Sequence, residues 1–211
     1  MTRTNNRTED EPRPRSRVRS WINDIMLNNY AFGVFCRIGR RWHSTIPVLN
    51  RTASRLASRN NRVDRSFEIF ASPRLVRFTE MEYSIPRANA AEAVRAVRRV
   101  TDHGGFPIPF PIEVRFAAAD DAFLSPSYGR ESCYIAVHMF EKMPWWGYFA
   151  IVEELMNRYE GRPHWGKRHF QTAETLRGRY PEWDRFSSVR SRFDPDGRFA
   201  NEYVRRVLIG E

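Results

Sequence analysis

The chain has 211 residues, 41% of them hydrophobic, which suits one domain with its own core plus a lead-in segment. Its formal net charge of +10 is unevenly placed: residues 1–65 hold 14 Arg and 5 acids, whereas residues 66–211 hold 21 basic and 20 acidic side chains. A nearly neutral main body argues against nucleic acid as a partner. Two distant cysteines, Cys36 and Cys133, imply neither a disulfide framework nor a cysteine-based zinc site.

Residues 1–17 are polar, charged and proline-bearing, and are expected to form a disordered basic tail. Residues 18–64 read as a helical connecting segment, because Trp21, Ile25, Phe32, Phe35, Ile38 and Trp42 recur at roughly helical spacing among arginines. Two destinations stay open for it: packing on protein, or peripheral contact with an anionic membrane surface. No signal peptide or membrane span is legible, so the expected location is the cytoplasm.

The main domain, residues 65–211, begins with expected strands at Ser66–Ala71 and Leu75–Ile85. In the second, Val76, Phe78, Glu80, Glu82 and Ser84 alternate with Leu75, Arg77, Thr79, Met81, Tyr83 and Ile85. A helix follows Asn89 along Ala90, Ala93, Val94, Val97 and Val100, and Gly104-Gly105 ends it. Strands are predicted at Ile112–Ala118 and Cys133–Phe140, and a helix from Met143 to Tyr159. Short helices at Thr172–Gly178, capped by Thr172, and at Glu182–Phe193 precede a short apolar element in the tail. This order predicts an α+β fold, a largely antiparallel sheet flanked by helices.

On the strand at 112–118, Glu113 and Arg115 share one face because side chains alternate with period two. A carboxylate and a guanidinium two residues apart can clamp a polyhydroxylated ligand, or simply form a salt-bridged sheet surface. His138 joins them only if its strand lies alongside. The stretch GRPHWGK, residues 161–167, offers a further cation, Lys167, one of only two lysines beside 33 arginines. No phosphate-binding glycine loop, HExxH or GxSxG is present, and the five histidines lack metal-ligand spacing, so no metal site is expected.

GRPHWGK, IEVRFAAADDAFLSPSYGR, YIAVHMF and FDPDGRFANEYVRRVL together resemble the carboxy-terminal half of the aldonolactone oxidase family. That family comprises D-arabinono-1,4-lactone, L-gulono-1,4-lactone and alditol oxidases, which are vanillyl-alcohol-oxidase-type flavoproteins. The resemblance covers about residues 65–211 and, more loosely, the region from Trp21. It implies a substrate or cap domain that lies over an FAD bound mainly by a domain absent from this chain. The implied activity is oxidation of a CH–OH group of a sugar lactone or polyol, with a separate FAD-binding domain or subunit as partner. It further implies that Glu113, Arg115, His138 and Lys167 are catalytic, and that His164, Trp165 and Gly166 shape the loop against the cofactor. Phe140 stands where alditol-oxidising members carry a small hydroxylated residue, which favours a lactone. The alternative is a non-catalytic sugar- or protein-binding remnant of such an enzyme.

Overall fold

A computed structural model of the chain describes residues 4–56, 61–71 and 73–210, in two compact units. The first unit is built mainly from residues up to Phe78, together with Pro107–Pro109 and Phe140–Met143. Residues 4–16 carry no regular element. A continuous helical rod then runs through α1 (Arg17–Trp21), a π-helical stretch (Ile22–Ala31) and α2 (Phe32–Arg41). Ser16 caps its start by accepting from the Arg19 backbone N–H. After a 3-10 turn, α3 (Ile46–Leu56) folds back, and Gly39 makes the close approach possible. A Cβ at Gly39 would stand 2.8 Å from the Ile46 side chain.

The expected strand at Ser66–Ala71 is instead a helix, α4 (Ser66–Phe70). Short apolar runs do not discriminate strand from helix by periodicity, and this backbone bonds locally, through Glu68 N–H and Ile69 N–H to the Arg65 carbonyl. The next strand starts three residues later than expected. The Leu75 N–H donates to Asn29 Oδ1 at 2.7 Å, and the Asn29 amide donates to the Pro73 carbonyl at 2.9 Å. A helix side chain therefore satisfies the backbone that a neighbouring strand would have used.

The second unit holds a four-stranded sheet of β1 (Phe78–Pro86), β2 (Glu113–Ala117), β3 (Ser132–Phe140) and β4 (Arg162–Pro163), in the order β2-β3-β1-β4. The β2–β3 and β1–β4 pairs are antiparallel, and the fold is α+β as expected. Met81, Tyr83 and Ile85 of β1 and Ile135, Val137 and Met139 of β3 are buried. Helices α5 (Ala90–His103) and α6 (Trp146–Asn157) pack together and bury Ala93, Ala96 and Val97, and Tyr148, Phe149, Val152 and Met156. Each large side chain buried in this way contributes about 1.5–3 kcal/mol relative to exposure. The buried carboxylate of Glu153 in this layer accepts from the Tyr83 hydroxyl at 2.5 Å and from the Phe170 N–H at 2.8 Å.

After the sheet come α7 (Ala173–Arg177), α8 (Trp183–Phe193), α9 (Glu202–Val204) and a last π turn (Arg205–Ile209). Ala173, Leu176, Tyr180, Trp183 and Val207 form a second apolar cluster, against which Trp165 and Tyr203 pack. The capping box of α7 uses Thr172 and Thr175. His169 is buried nearby, with Nε2 2.8 Å from the Tyr203 hydroxyl.

Burial, reinforced by Arg206, lowers the His169 ring from 6.5 to about 4. The folded state thus disfavours the imidazolium. Its contribution is complete above the unfolded value and is lost as pH falls through about 4. Urea unfolding near neutrality and near pH 4 is expected to show a larger loss of stability in the wild type than in His169→Gln. Equal losses would show that His169 carries no acid sensitivity.

Candidate functional site

The face of the sheet opposite the apolar layer is polar, and register explains what meets there. Glu113 pairs with Ala136 and Arg115 with Tyr134, so β2 and β3 place residues 113, 115, 134, 136 and 138 on one side. Glu80 and Glu82 take the same side of β1, because Met81 and Tyr83 point into the core. The structure brings Glu113, Arg115, His138 and Lys167 together on this surface. It adds two carboxylates, Glu80 and Glu82.

The six groups alternate between acidic and basic side chains around a closed ring. His138 Nε2 lies 3.2 Å from Glu80 Oε1, which accepts from Lys167 Nζ at 2.6 Å. Lys167 also donates to Glu82 Oε2, and Glu82 Oε1 accepts from Arg115 Nη1 at 3.0 Å. Arg115 Nη2 donates to Glu113, and Glu113 Oε1 closes the circuit 4.0 Å from His138 Nε2. The Phe110 ring stacks on the imidazole at 5.8 Å. Exposure is graded across the ring: the side chains of Glu82 and His138 are each 2% exposed, Lys167 16%, Glu113 31% and Arg115 49%.

Electrostatics follow from this pairing. Burial alone would raise the Glu80 carboxyl, but hydrogen bonds from His138 and Lys167 outweigh it and bring the group down to about 2. Burial pulls the Arg115 guanidinium down, and the neighbouring Glu82 and Glu113 more than reverse this. Glu80 and Arg115 therefore stay charged at neutral pH. The ring presents hydrogen-bond donors and acceptors within a few ångströms of one another, an arrangement suited to a ligand bearing several hydroxyls.

Lys167 reaches the ring because its loop is tied to β1 twice. Arg162 and Pro163 pair with Ser84 and Tyr83 as the edge strand β4, so part of GRPHWGK is strand rather than loop. The His164 N–H then donates to the Glu82 carbonyl at 2.9 Å, and the Arg168 N–H to the Glu80 carbonyl at 2.9 Å. Between these ties, His164 to Lys167 form a turn closed by Lys167 N–H to His164 O at 3.0 Å. Trp165 points away from the ring: its Nε1–H donates to the Leu124 carbonyl at 2.8 Å, and its ring packs 5.2 Å from Tyr180. His164 Nδ1 accepts from the Gly166 N–H at 3.1 Å, and Gly166 is exposed. Of His164, Trp165 and Gly166, the structure gives Trp165 the part of anchor and leaves Gly166 at the surface.

Glu80 and Glu82 were not among the expected site residues. Their signal lay in FTEMEYS, where two carboxylates alternate with residues that belong in a core. A Glu-x-Glu strand face has the same logic as the Glu-x-Arg face of β2.

Fold and site together define an α+β domain whose sheet offers a surface of alternating charged donors and acceptors. The sequence matches the D-arabinono-1,4-lactone oxidase family over residues 1–207, and the chain belongs to that family. The match reaches well beyond the segment from residue 65 and includes the basic first third. It is 50% identical over 208 residues to an L-gulono-1,4-lactone dehydrogenase of Mycobacterium tuberculosis, covering 99% of this chain and 48% of that protein. Identity to an L-gulonolactone oxidase of Scyliorhinus torazame is 33% over 193 residues, covering 86% of this chain and 44% of the relative. An alditol oxidase of a Streptomyces species is 36% identical over 134 residues, 62% of this chain and 32% of the relative. The chain thus spans about half the length of the first two relatives or less.

The loop's two ends are expected to respond differently to substitution. Trp165→Ala removes a half-buried anchor and its hydrogen bond, and is expected to cost roughly 2 kcal/mol, below the range for a fully buried Trp. Gly166→Ala places a Cβ 3.4 Å from the His164 ring, an ordinary contact, and is expected to be near neutral. Urea midpoints of both variants check this, and the reverse order would contradict the assignment of anchor and edge.

Proposed function

We propose that this domain supplies the substrate-facing groups of an FAD-linked oxidoreductase that oxidises a CH–OH carbon of a sugar lactone. The observation that carries the reading is the six-membered ring of Glu80, Glu82, Glu113, Arg115, His138 and Lys167 on one sheet face. The D-arabinono-1,4-lactone oxidase family and the names of the relatives support it.

The donor set fits one end of a flavin. Arg115 and Lys167, both accessible, provide cationic hydrogen-bond donors where negative charge develops in oxidoreduction. It does not fit the phosphates and adenine, for which the sequence has no glycine-rich turn. Those would be held by residues outside these 211, in the same polypeptide or a partner subunit.

A bound flavin supplies the acceptor for the hydride that leaves the alcohol carbon. The protein's own part is to orient the hydroxyl and manage its proton. Arg115 and Lys167 donate to the hydroxyl oxygen and stabilise its alkoxide character as the O–H bond breaks. Glu113, the most exposed of the three carboxylates by the ring geometry, accepts the proton, with His138 behind it at 4.0 Å. The carbon loses a hydride and the oxygen a proton, leaving a carbonyl. Phe140, buried and stacked under the Arg40 guanidinium at 5.5 Å, offers no hydroxyl to an extended polyol, which favours a ring substrate.

In the flavin-loaded enzyme, Lys167→Met is expected to keep the fold and lower turnover by a factor on the order of a hundred or more, as for loss of one preorganised donor. Lys167→Arg is also expected to be poor, because a planar fork does not replace a point ammonium between two carboxylates. Full activity in both would remove Lys167 from the mechanism and favour a non-catalytic sugar-binding or protein-binding remnant.

The first unit supports a further part of this proposal, peripheral contact with an anionic membrane. Val18, Ile22, Met26, Tyr30 and Val34 recur every four residues along the helical rod with 40–70% exposure, beside exposed Trp21 and flanked by arginines. No helix among the described residues is long and apolar enough to cross a membrane. The chain is expected to sediment with vesicles containing phosphatidylglycerol, and Ile22→Glu with Met26→Glu to abolish this. Absence of vesicle binding in the wild type would leave that face to a protein partner.

A further inference from the structure

Lys167 reaches the site on a short loop, and a four-carbon side chain has many rotamers to lose. Something has to hold its ammonium in one place. Glu80 and Glu82 lie two apart on β1, so their carboxylates stand on one face, and Lys167 Nζ donates to both. The same two strand carbonyls that accept from His164 N–H and Arg168 N–H belong to Glu82 and Glu80. Backbone and side chain of the same pair therefore fix the loop and the charge it carries.

Each carboxylate has a second task. Glu80 Oε1 also faces His138 Nε2 at 3.2 Å, and Glu82 Oε1 takes Arg115 Nη1 at 3.0 Å. Glu82 is 2% exposed, so its charge has no solvent to screen it and is balanced by these two cations. Removing its charge leaves Arg115 and Lys167 without a shared counter-ion and lets both swing outward.

We infer that Glu80 and Glu82 are positioning residues: together they clamp Lys167, and through it and Arg115 they set where the substrate oxygen is held. This rests on the proposed oxidoreductase reading of the ring. Neither carboxylate is assigned to touch the reacting carbon.

Lysine scarcity makes the clamp measurable without turnover. The chain has two lysines, and Lys142 is exposed. Reductive methylation with 13C-formaldehyde yields separate NMR signals for Lys142, Lys167 and the α-amine. In the wild type, Lys142 is expected to react first and Lys167 slowly, because its amine must leave both carboxylates before attacking. In Glu82→Gln, and in Glu80→Gln, Lys167 labelling is expected to accelerate roughly tenfold, the change for losing one charge-assisted hydrogen bond. Lys142 serves as the internal reference. Glu82→Asp should restore part of the protection, since it returns the charge with a shorter reach.

Circular dichroism verifies that each variant is folded, and the more accessible Glu80 provides the second variant if Glu82→Gln does not fold. In the flavin-loaded enzyme, the Gln variants are expected to lower kcat more than they raise KM. Lys167 equally protected in wild type and folded variants would overturn the inference, whatever the site does. Release of Lys167 with turnover unchanged would leave the clamp in place and overturn the reading of the site as catalytic.

Discussion

The carboxylate of Glu82, 2% exposed within a β-strand, is the constraint on which the polar face of this protein depends. Taking one such charge out of water costs several kcal/mol unless cations and hydrogen bonds replace the solvent. Arg115 arrives from β2 and Lys167 from the loop after β4, on opposite sides of β1 in the sheet order. Neither comes from a sequence neighbour. The charge is tolerable only once the sheet has assembled with β3 between β2 and β1, and with the 164–168 turn tied to the β1 edge. The ion-paired ring is thus a consequence of topology, and a wrong register on any strand would bury an unpaired carboxylate.

The two faces of the sheet divide the work. Non-directional burial of Met81, Tyr83, Ile85, Ile135, Val137 and Met139 supplies stability. The charged face adds little net stability, because pairing roughly offsets desolvation, yet it adds direction. Anchors outside the sheet keep that direction. Trp165 is pinned to Leu124 and Tyr180, and the Tyr203 hydroxyl donates to the Trp165 carbonyl at 2.6 Å. Arg162, buried and hydrogen-bonded to the carbonyls of Arg179 and Tyr128, fixes the strand that leads into the turn. The residues carrying charge to the site are mobile in type, and those holding them are aromatic or fully paired.

Much of this was legible in the sequence, for reasons that can be named. Period-two alternation located β2 and β3 to within a residue, and it put Glu113 with Arg115 and His138 opposite Ile135 and Val137. Gly104-Gly105 ended α5 where expected, with Gly105 at φ 69°. Ser66–Phe70 reads as a strand only because so short an apolar run does not distinguish strand from helix, while the helix depends on local bonds to the Arg65 carbonyl. Arg162–Pro163 was unreadable as a strand, since two residues show no period and proline is usual only at an edge, which is where β4 lies. Glu80 and Glu82 were visible on the correct face of β1, but nothing local says that a lysine more than eighty residues away will meet them. Long-range pairing is what a single sequence conceals.

The arithmetic of the ring bears on the proposed chemistry. Apart from His138, the three carboxylates, Arg115 and Lys167 sum to a net charge of −1, so one added proton would balance them. In the proposed reaction, releasing a substrate's hydroxyl proton into this ring would move it toward charge balance and would favour Glu113 as the acceptor. Each proton taken up by a carboxylate also loosens that carboxylate's hold on its cation. The freed donor strength of Arg115, which Glu113 and Glu82 share, then turns to the oxygen that has just lost its proton. On this proposal, deprotonation and stabilisation of the resulting alkoxide would be coupled through one guanidinium. Lys167, held by Glu80 as well as Glu82, would stay in place while that exchange occurs.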